Sequence, residues 1–575
     1  MNSYINHYNR FLSSDRLSES EKAELRAIAS NEDEIKARFS SFLSFGTGGL
    51  RGIMKTGMNA MNVHTVAHAT QALAELVLES EAASRGVVIA HDSRNNSRLF
   101  AETAASVLIA NGIVTYMFDA LRPTPELSFA VRKLGCIAGI NVTASHNPKE
   151  YNGYKAYWED GAQLSLEQAD TVARKMQGLD IFDDVKRIPY ETCEKNGTVR
   201  LLGAEFDEAY LEAVLAQRVN PVVLSNAKGF KVVYTPLHGA GTRLVPEVLR
   251  RAGLSELHVV PEQEMPDGNF PTTPKPNPEY AQVFEPGMVI ANRVGSDLLI
   301  ATDPDADRVG VMARTASGDF RTITGNQMGC LLLDYIITAY KKNGGLPNDP
   351  YAVKTIVSTE LATRICEENG VTIHNVLTGF KFIGEVIKNY EESGKGTYLL
   401  GFEESYGYLK GTYARDKDAV STALLICEMA AYYKECGMTL IDALDALYKR
   451  YGYSFEKTEE LALTGYNGAE QITSLMSALR NDPPKEFAGS RVTSIGDYAL
   501  EIFTDTATGK TTPTGLPKSN VLYFKTECGD VVVVRPSGTE PKIKFYYLLG
   551  GESAAVCEEK LALCKAVIAA YTDKL

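Results

Sequence analysis

Asp303, Asp305 and Asp307 alternate with Pro304 and Ala306, and Arg308 follows them directly. The apolar run Leu298 to Thr302 stands just before and reads as a buried strand. Three carboxylates in a turn at a strand end can converge on one hard cation. Mg²⁺ takes about six oxygen ligands at roughly 2.0–2.1 Å and often completes its shell with phosphate. Arg308 cannot be a ligand, but its guanidinium can clamp a phosphate. An EF-hand loop would need Gly at the sixth position and Glu at the twelfth. Arg308 and Arg314 stand there instead, which excludes it. Two readings stay open beside the cation site: an aspartyl nucleophile at Asp303, and a plain acidic turn.

A second strand-like run, Ile137 to Val142, leads into Thr143-Ala144-Ser145-His146-Asn147-Pro148. Ser145 is therefore expected on a turn past the strand end, hydroxyl exposed, with His146 beside it. Asn147-Pro148 bars a smooth run into a helix. A serine so placed can carry a covalent group such as phosphate. Lys155 lies ten residues on and can shuttle a proton if its pKa is depressed.

Other loops supply anion donors. Arg535-Pro536-Ser537-Gly538-Thr539-Glu540-Pro541-Lys542 follows the run Val531 to Val534 and gathers a guanidinium, two hydroxyls and an ammonium. Phe45 to Gly52 is glycine-rich, but Arg51 occupies the place of the last glycine in G-x-G-x-x-G, so dinucleotide binding is disfavoured. Its backbone NH groups and Arg51 can instead meet a phosphoryl group. Thr504 to Thr511 ends in Gly-Lys-Thr but begins with Thr504 where a P-loop needs glycine. Gly401-Phe402-Glu403-Glu404-Ser405-Tyr406-Gly407 offers carboxylates and a hydroxyl suited to the vicinal hydroxyls of a sugar.

These loops need a scaffold. Val87 to Asp92, Val232 to Pro236 and Thr355 to Thr359 are short β-branched runs ending in polar residues. Each opens an α/β stretch whose later strand runs into one of the polar motifs: Ser145, then Asp303, then Glu403. A weak internal repeat of three α/β domains is the simplest account. From about Tyr451 the pattern changes to short strands with a closing helix from about Ser553 to Tyr571, an α+β domain. The expected boundaries are 1–205, 206–320, 321–450 and 451–575. Ahead of the first repeat, residues 17–40 read as one amphipathic helix. Ser18 and Glu21 form its capping box, and Leu25, Ile28, Ile35 and Phe39 its apolar stripe.

Ser145, the aspartate triplet, the glutamate loop and the Arg535 loop occur in this order in one chain. Together they resemble the α-D-phosphohexomutases, the phosphoglucomutase/phosphomannomutase superfamily. The resemblance covers nearly the whole chain. Gly401 to Tyr408 and Thr378 to Gly384 look closest to the bacterial branch related to phosphoglucomutase-2/phosphopentomutase. It implies four domains around a central cleft, three similar α/β domains with mixed sheets and a smaller C-terminal α+β domain. It also implies a phosphoserine at Ser145 and Mg²⁺ bound by Ser145, Asp303, Asp305 and Asp307. Arg51, His146, Lys155 and Arg308 would surround the transferring phosphoryl group. Thr47, Arg51, Lys381, Glu403, Ser405, Lys417, Arg535, Ser537, Gly538 and Thr539 would bind substrate. Some members place a histidine after the sugar loop; here Tyr406-Gly407-Tyr408 has none. That leaves Lys381 and Lys417 as candidates for the second acid/base. The implied reaction interconverts glucose 1-phosphate and glucose 6-phosphate through glucose 1,6-bisphosphate. Phosphopentomutase, phosphomannomutase and a non-catalytic sugar-phosphate sensor are the alternatives.

The bulk properties agree. A chain of 575 residues needs several cores. A net charge of -13 argues against nucleic-acid and anionic-membrane partners. It does not forbid phosphate, because at a Debye length of about 8 Å a local basic lining outweighs distant acids. Nine scattered cysteines without a C-x-x-C pair indicate neither a disulfide framework nor a zinc site. The N-terminus has no secretory pattern, and the longest apolar run, around 422–433, contains Glu428 and is too short to span a bilayer. A cytoplasmic monomer or weak homodimer acting on small sugar phosphates is expected.

Overall fold

The β-branched runs that start at Val87 and Val232 become buried strands in the computed structural model, which describes residues 3–46, 48–463, 468–537 and 542–573. The chain divides into two compact units. The first comprises Met1–Ile323, Gly384–Gly394 and Tyr406–Thr439, the second Thr324–Ile383, Lys395–Ser405 and Leu440–Leu575.

In the first unit, one sheet is built from β1 (Gly49–Ile53), β2 (Val87–His91), β3 (Thr115–Phe118), β4 (Ala138–Val142), β5 (Tyr151–Trp158) and β6 (Val199–Leu202). Their spatial order is β1-β5-β4-β2-β3-β6. β2 pairs in parallel with β3 and β4, while β5 runs antiparallel to β4. Every residue of β2 and β4 is buried, as expected of strands covered on both faces by crossover helices. The second sheet holds β7 (Lys231–Thr235), β8 (Glu256–Val259), β9 (Leu298–Thr302), β10 (Val309–Arg314) and β11 (Phe320–Ile323), in the order β11-β10-β9-β7-β8. β7 is parallel to β8 and β9, and β10 is antiparallel to β9.

In the second unit, β12 (Pro350–Thr355) lies between β13 (Thr372–Val376) and β14 (Thr397–Glu403), parallel to both. The C-terminal part is an antiparallel sheet. Its order is Tyr453–Ala462, Lys542–Gly551, Val531–Pro536, Leu522–Thr526, Ser490–Asp497, Ile502–Asp505 and Thr511–Pro513. The helices Gly468–Asn481 and Ala554–Thr572 belong to this part, and Leu475, Phe524, Val532, Tyr547 and Ile568 share its core.

The internal repeat is now a topology. β2, β7 and β12 are equivalent central strands, each flanked by two parallel neighbours. β4, β9 and β14 are the equivalent strands that lead into Ser145, the aspartate triplet and Glu403. Each of the three following loops contains a non-glycine residue with positive φ: Ser145 at 50°, Ala306 at 51° and Tyr406 at 67°. Such backbone is uncommon outside glycine and costs about 1–3 kcal/mol, so all three turns are held by their surroundings.

Four expectations change. Residues 17–40 form two helices, Glu19–Ala27 and Glu32–Phe39. The capping box at Ser18 and Glu21 is present, but Asn31 accepts from the Glu34 amide and starts a second helix. Of the run Thr355 to Thr359, only Thr355 lies in a strand; Ser358 turns back to the Thr355 carbonyl. The boundary at 320 moves beyond Ile323, because β11 pairs with β10 from Phe320 to Ile323. Ser145 is buried rather than exposed, at 3% of its surface, because the aspartate loop closes over it.

All nine cysteines are free, and only Cys436 and Cys528 are exposed. Among the described residues, no helix is long and apolar enough to cross a membrane.

Candidate active site

In the first unit the serine and aspartate loops meet. Ser145 Oγ donates to Asp303 Oδ2 at 2.7 Å and lies 3.2 Å from His146 Nδ1. The loop is tied down locally by the Ser145 amide on Thr143 Oγ1 and by Thr143 Oγ1 on Asp92 Oδ2. On the neighbouring strand, a Cβ on Gly153 would sit 2.4 Å from the Thr143 carbonyl oxygen. Only a glycine lets β5 pass this close.

Sequence reasoning missed the main clamp. Arg94, after β2, donates to the backbone carbonyls of Ser145, Asn147, Pro148 and Tyr151. It also pairs with Asp92 at 3.3 Å. The polar end of the β2 run was the only signal for it. Arg51 donates to Asn147 Oδ1 at 3.1 Å, from the strand that faces Gly153.

The aspartate loop folds around its own first carboxylate. Asp303 Oδ1 accepts from the amides of Asp307 and Arg308. Asp305 Oδ2 accepts from Lys155 Nζ at 2.7 Å and Thr124 Oγ1 at 2.8 Å. Asp307 Oδ2 receives Lys155 Nζ at 3.0 Å and pairs with Lys417 Nζ at 3.1 Å. Thr124 was also missed; Asn141 Nδ2 donates to its hydroxyl at 2.7 Å. The three aspartates are buried, and one ligand oxygen from each lies within 4.8 Å of the others. Asp305 Oδ1 and Asp307 Oδ1 are buried without a hydrogen-bond partner. Native interiors rarely leave such atoms unsatisfied, so this donor set fits a hard divalent cation.

The titrations follow the geometry. Burial, with Asp305 and Asp307 beside it, pushes Asp303 well above the usual carboxylate range. Burial also opposes ionisation of Asp307, but Lys155, Lys417 and Arg308 outweigh it and pull that group down. His146 is held well below its ordinary value by burial and by Arg308 and Arg51, so it is neutral. Burial disfavours the charge on Lys155, yet Asp305 and Asp307 prevail and raise its pKa. The depressed value that general-base work would need is absent. Arg308 donates to Glu279 Oε1 at 2.7 Å.

In the second unit, Glu403 at the end of β14 accepts from the Gly379 amide at 2.8 Å. Glu404 Oε2 accepts from Thr355 Oγ1 at 3.2 Å. Burial and the adjacent Glu403 push Glu404 up to about 7, against the pull of Arg535 and Lys544. Ser405 is half-buried on the same loop. Arg535, the last residue but one of its strand, lies opposite Lys544, and Ser537 follows the strand, its amide bonded to the Lys542 carbonyl. Lys381 Nζ sits 5.5 Å over the Phe382 ring. Thr47, Gly538 and Thr539 lie outside the described residues.

Ser145, His146, Arg51, Lys155, Arg308, the three aspartates and Lys417 are thus gathered in one unit. Glu403, Ser405, Lys381, Arg535 and Ser537 belong to the other.

Comparison with known proteins gives consistent results. Phosphoglucomutase/phosphomannomutase α/β/α domains I, II and III match residues 43–180, 208–318 and 324–451. A phosphoglucomutase of Staphylococcus saprophyticus is 36% identical over 522 residues, 91% of this chain and 93% of its own length. One from Staphylococcus aureus is 36% identical over 90% of this chain and 91% of its own. The open form of Paramecium parafusin, a phosphoglucomutase, superposes with a TM-score of 0.70 at 17% identity. That match covers 92% of this chain and 95% of the other, and it speaks for the fold alone.

Proposed function

The chain belongs to the phosphoglucomutase/phosphomannomutase family, and from that premise we propose that it moves a phosphoryl group between the 1- and 6-positions of glucose. The observation that carries this reading is the Ser145 hydroxyl, 2.7 Å from Asp303 inside the buried aspartate cluster. Ser145 is the residue that carries the phosphoryl group. Asp303, Asp305 and Asp307, with an oxygen on Ser145, would hold Mg²⁺. Bound there, the ion would neutralise phosphoryl charge as a Lewis acid.

The rest of the chemistry falls to side chains. In the first half-reaction the sugar hydroxyl attacks phosphorus and the Ser145 oxygen–phosphorus bond breaks. The proton leaving the sugar hydroxyl is matched by one taken up by the departing Ser145 oxygen, which becomes a hydroxyl. The product is glucose 1,6-bisphosphate. In the second half-reaction the Ser145 hydroxyl attacks the other phosphate. Lys155, held in its ammonium form, then protonates the departing sugar oxygen. The serine proton has an acceptor within reach in neutral His146 Nδ1, 3.2 Å from the Ser145 hydroxyl. Positioning and charge stabilisation supply most of the rate in such phosphoryl transfers.

Of the two candidates for the second acid/base, Lys417 is favoured. Its ammonium shares Asp307 Oδ2 with that of Lys155. Lys381 instead lies against Phe382 and suits substrate phosphate. Glu403 and Ser405 are assigned to sugar hydroxyls. Arg535, Ser537, Gly538 and Thr539 are assigned to the phosphate that does not react, and Arg51, Arg308 and Thr47 to the one that does. The four domains are assigned to 1–205, 206–323, 324–450 and 451–575.

A coupled assay of glucose 1-phosphate conversion, run beside mannose and ribose phosphates, tests the reading. Ser145→Ala should abolish exchange and leave the fold intact. Near-normal turnover of that variant with glucose 1,6-bisphosphate would refute it, and acid-labile phosphate on Asp303 would make the protein a phosphatase.

A further inference from the structure

Lys417 stands between two aspartates, and neither of them is solvated. Asp416 Oδ1 accepts from the Lys417 amide at 2.8 Å and from Lys417 Nζ at 3.2 Å. Its other oxygen accepts from the Tyr157 hydroxyl at 2.8 Å and from Gln163 Nε2 at 3.1 Å. On the other side, Asp418 Oδ1 caps the helix Ala419–Glu435 through the amides of Val420 and Ser421. Asp418 Oδ2 accepts from the hydroxyls of Tyr210 and Tyr413. Asp416, Asp418, Tyr157 and Tyr210 are all fully buried or nearly so.

The contacts form a closed ring. Tyr157 lies two residues beyond Lys155 on β5, so both side chains project from one face of that strand. Lys155 Nζ and Lys417 Nζ both meet Asp307 Oδ2. The path from Lys155 through Asp307, Lys417, Asp416 and Tyr157 therefore returns to the strand from which it started. A Cβ on Gly407 would sit 2.1 Å from Lys417 Cδ, so that glycine leaves passage for the lysine stem. A free lysine side chain holds about 2 kcal/mol of rotamer entropy. In the ring, two fixed partners of the ammonium, Asp307 and Asp416, remove much of that freedom before substrate arrives.

We infer that Tyr157 and Asp416 are positioning residues, which hold the Lys417 ammonium against the aspartate loop so that it can serve as the second proton-transfer group. The inference rests on the function proposed above. Tyr157 touches no reacting atom and acts through Asp416. Its hydroxyl stays protonated, since burial and the facing Asp416 carboxylate push its pKa well up, so it donates to Asp416 at any working pH.

Tyr157→Phe keeps the ring volume and deletes one donor. Gln163→Met removes the other donor from the less buried side, and serves if the tyrosine variant folds poorly. Misplacing a catalytic group by about 1 Å costs roughly 10²-fold. Each variant should therefore lower kcat about ten- to a hundredfold with KM within twofold. Limited acetylation with acetic anhydride, read by peptide mass, gives a measurement that needs no turnover. Lys417 should label several-fold faster in the variants, and Lys155 at the wild-type rate. Unchanged kcat, a change confined to KM, or a lower kcat with unchanged Lys417 labelling would each overturn the inference. Wild-type protein without mutase turnover would sink the proposed function instead, and labelling would still decide whether the ring holds Lys417.

Discussion

Replacing Arg94 by methionine should separate the fold of the serine loop from the chemistry it carries. The guanidinium is completely buried and bonds four carbonyl oxygens of the loop, those of Ser145, Asn147, Pro148 and Tyr151. Methionine keeps most of the stem and loses all of these donors. Breaking a buried ion pair by removing one partner costs about 3–5 kcal/mol, and here the stranded partner is Asp92. Asp92 keeps its bonds from Thr143 and Ser97, which places the cost near the lower end, about 3 kcal/mol. The left-handed backbone at Ser145, at φ 50°, stores about 1–3 kcal/mol that the four bonds offset. Without them the turn relaxes, and a nucleophile displaced by about 1 Å loses roughly 10²-fold in rate. Urea unfolding should show the stability loss, and the coupled glucose 1-phosphate assay a kcat lower by about 10²-fold. Arg94→Lys should fall between, because three ammonium donors cannot span four carbonyls and a carboxylate. A kcat within threefold of wild type, alongside the full loss of stability, would refute the claim that Arg94 sets the nucleophile.

Thr124→Val removes the hydroxyl that orients Asp305, and should weaken Mg²⁺ binding about 10–100-fold by calorimetric titration; unchanged affinity would clear Thr124 of that role. Removing divalent metal with a chelator should stop turnover and lower the melting temperature, and Mg²⁺ should restore both. Stability should also depend on Glu404. The folded protein keeps its proton up to about pH 7, whereas the unfolded chain releases it near the ordinary value of 4.5. Protonation thus favours the native state, and its contribution is lost as pH rises from about 4.5 to 7. Glu404→Gln should flatten the urea midpoint across that window, and an unaltered slope would refute the assignment. At the other extreme, burial raises Glu21, but bonds from His64 and Ser18 outweigh it and bring Glu21 down to about 2. Its stabilising contribution is therefore present above about pH 4.5 and lost as pH falls toward 2, so Glu21→Gln should reduce the loss of stability in acid.

The chemistry-bearing loops were legible because each depends on local residue types. Three aspartates at alternate positions after Leu298 to Thr302 pointed to carboxylates able to converge on a cation, and two of the three short β-branched runs that opened the repeats are buried strands. Even the threefold repeat could be read from runs that end in polar residues, and it returned as three equivalent strands leading into three positively turned loops. Long-range partnership was not legible. No local pattern shows that Arg94 reaches four carbonyls more than fifty residues away, or that Thr124 meets Asp305 across 181 positions. The sign of the shift on Lys155 was equally hidden. Burial alone would depress it, and only the two aspartates brought against it by the second sheet reverse the outcome. Ser145 shows the same division: its type and strand-end place follow from neighbours in sequence, while its burial follows from a loop 158 residues away. Residue types and periodicity act over a few positions and determined which groups could do chemistry. Packing acts across the whole chain, and it alone decided which of them touch, which stay charged, and which are held still.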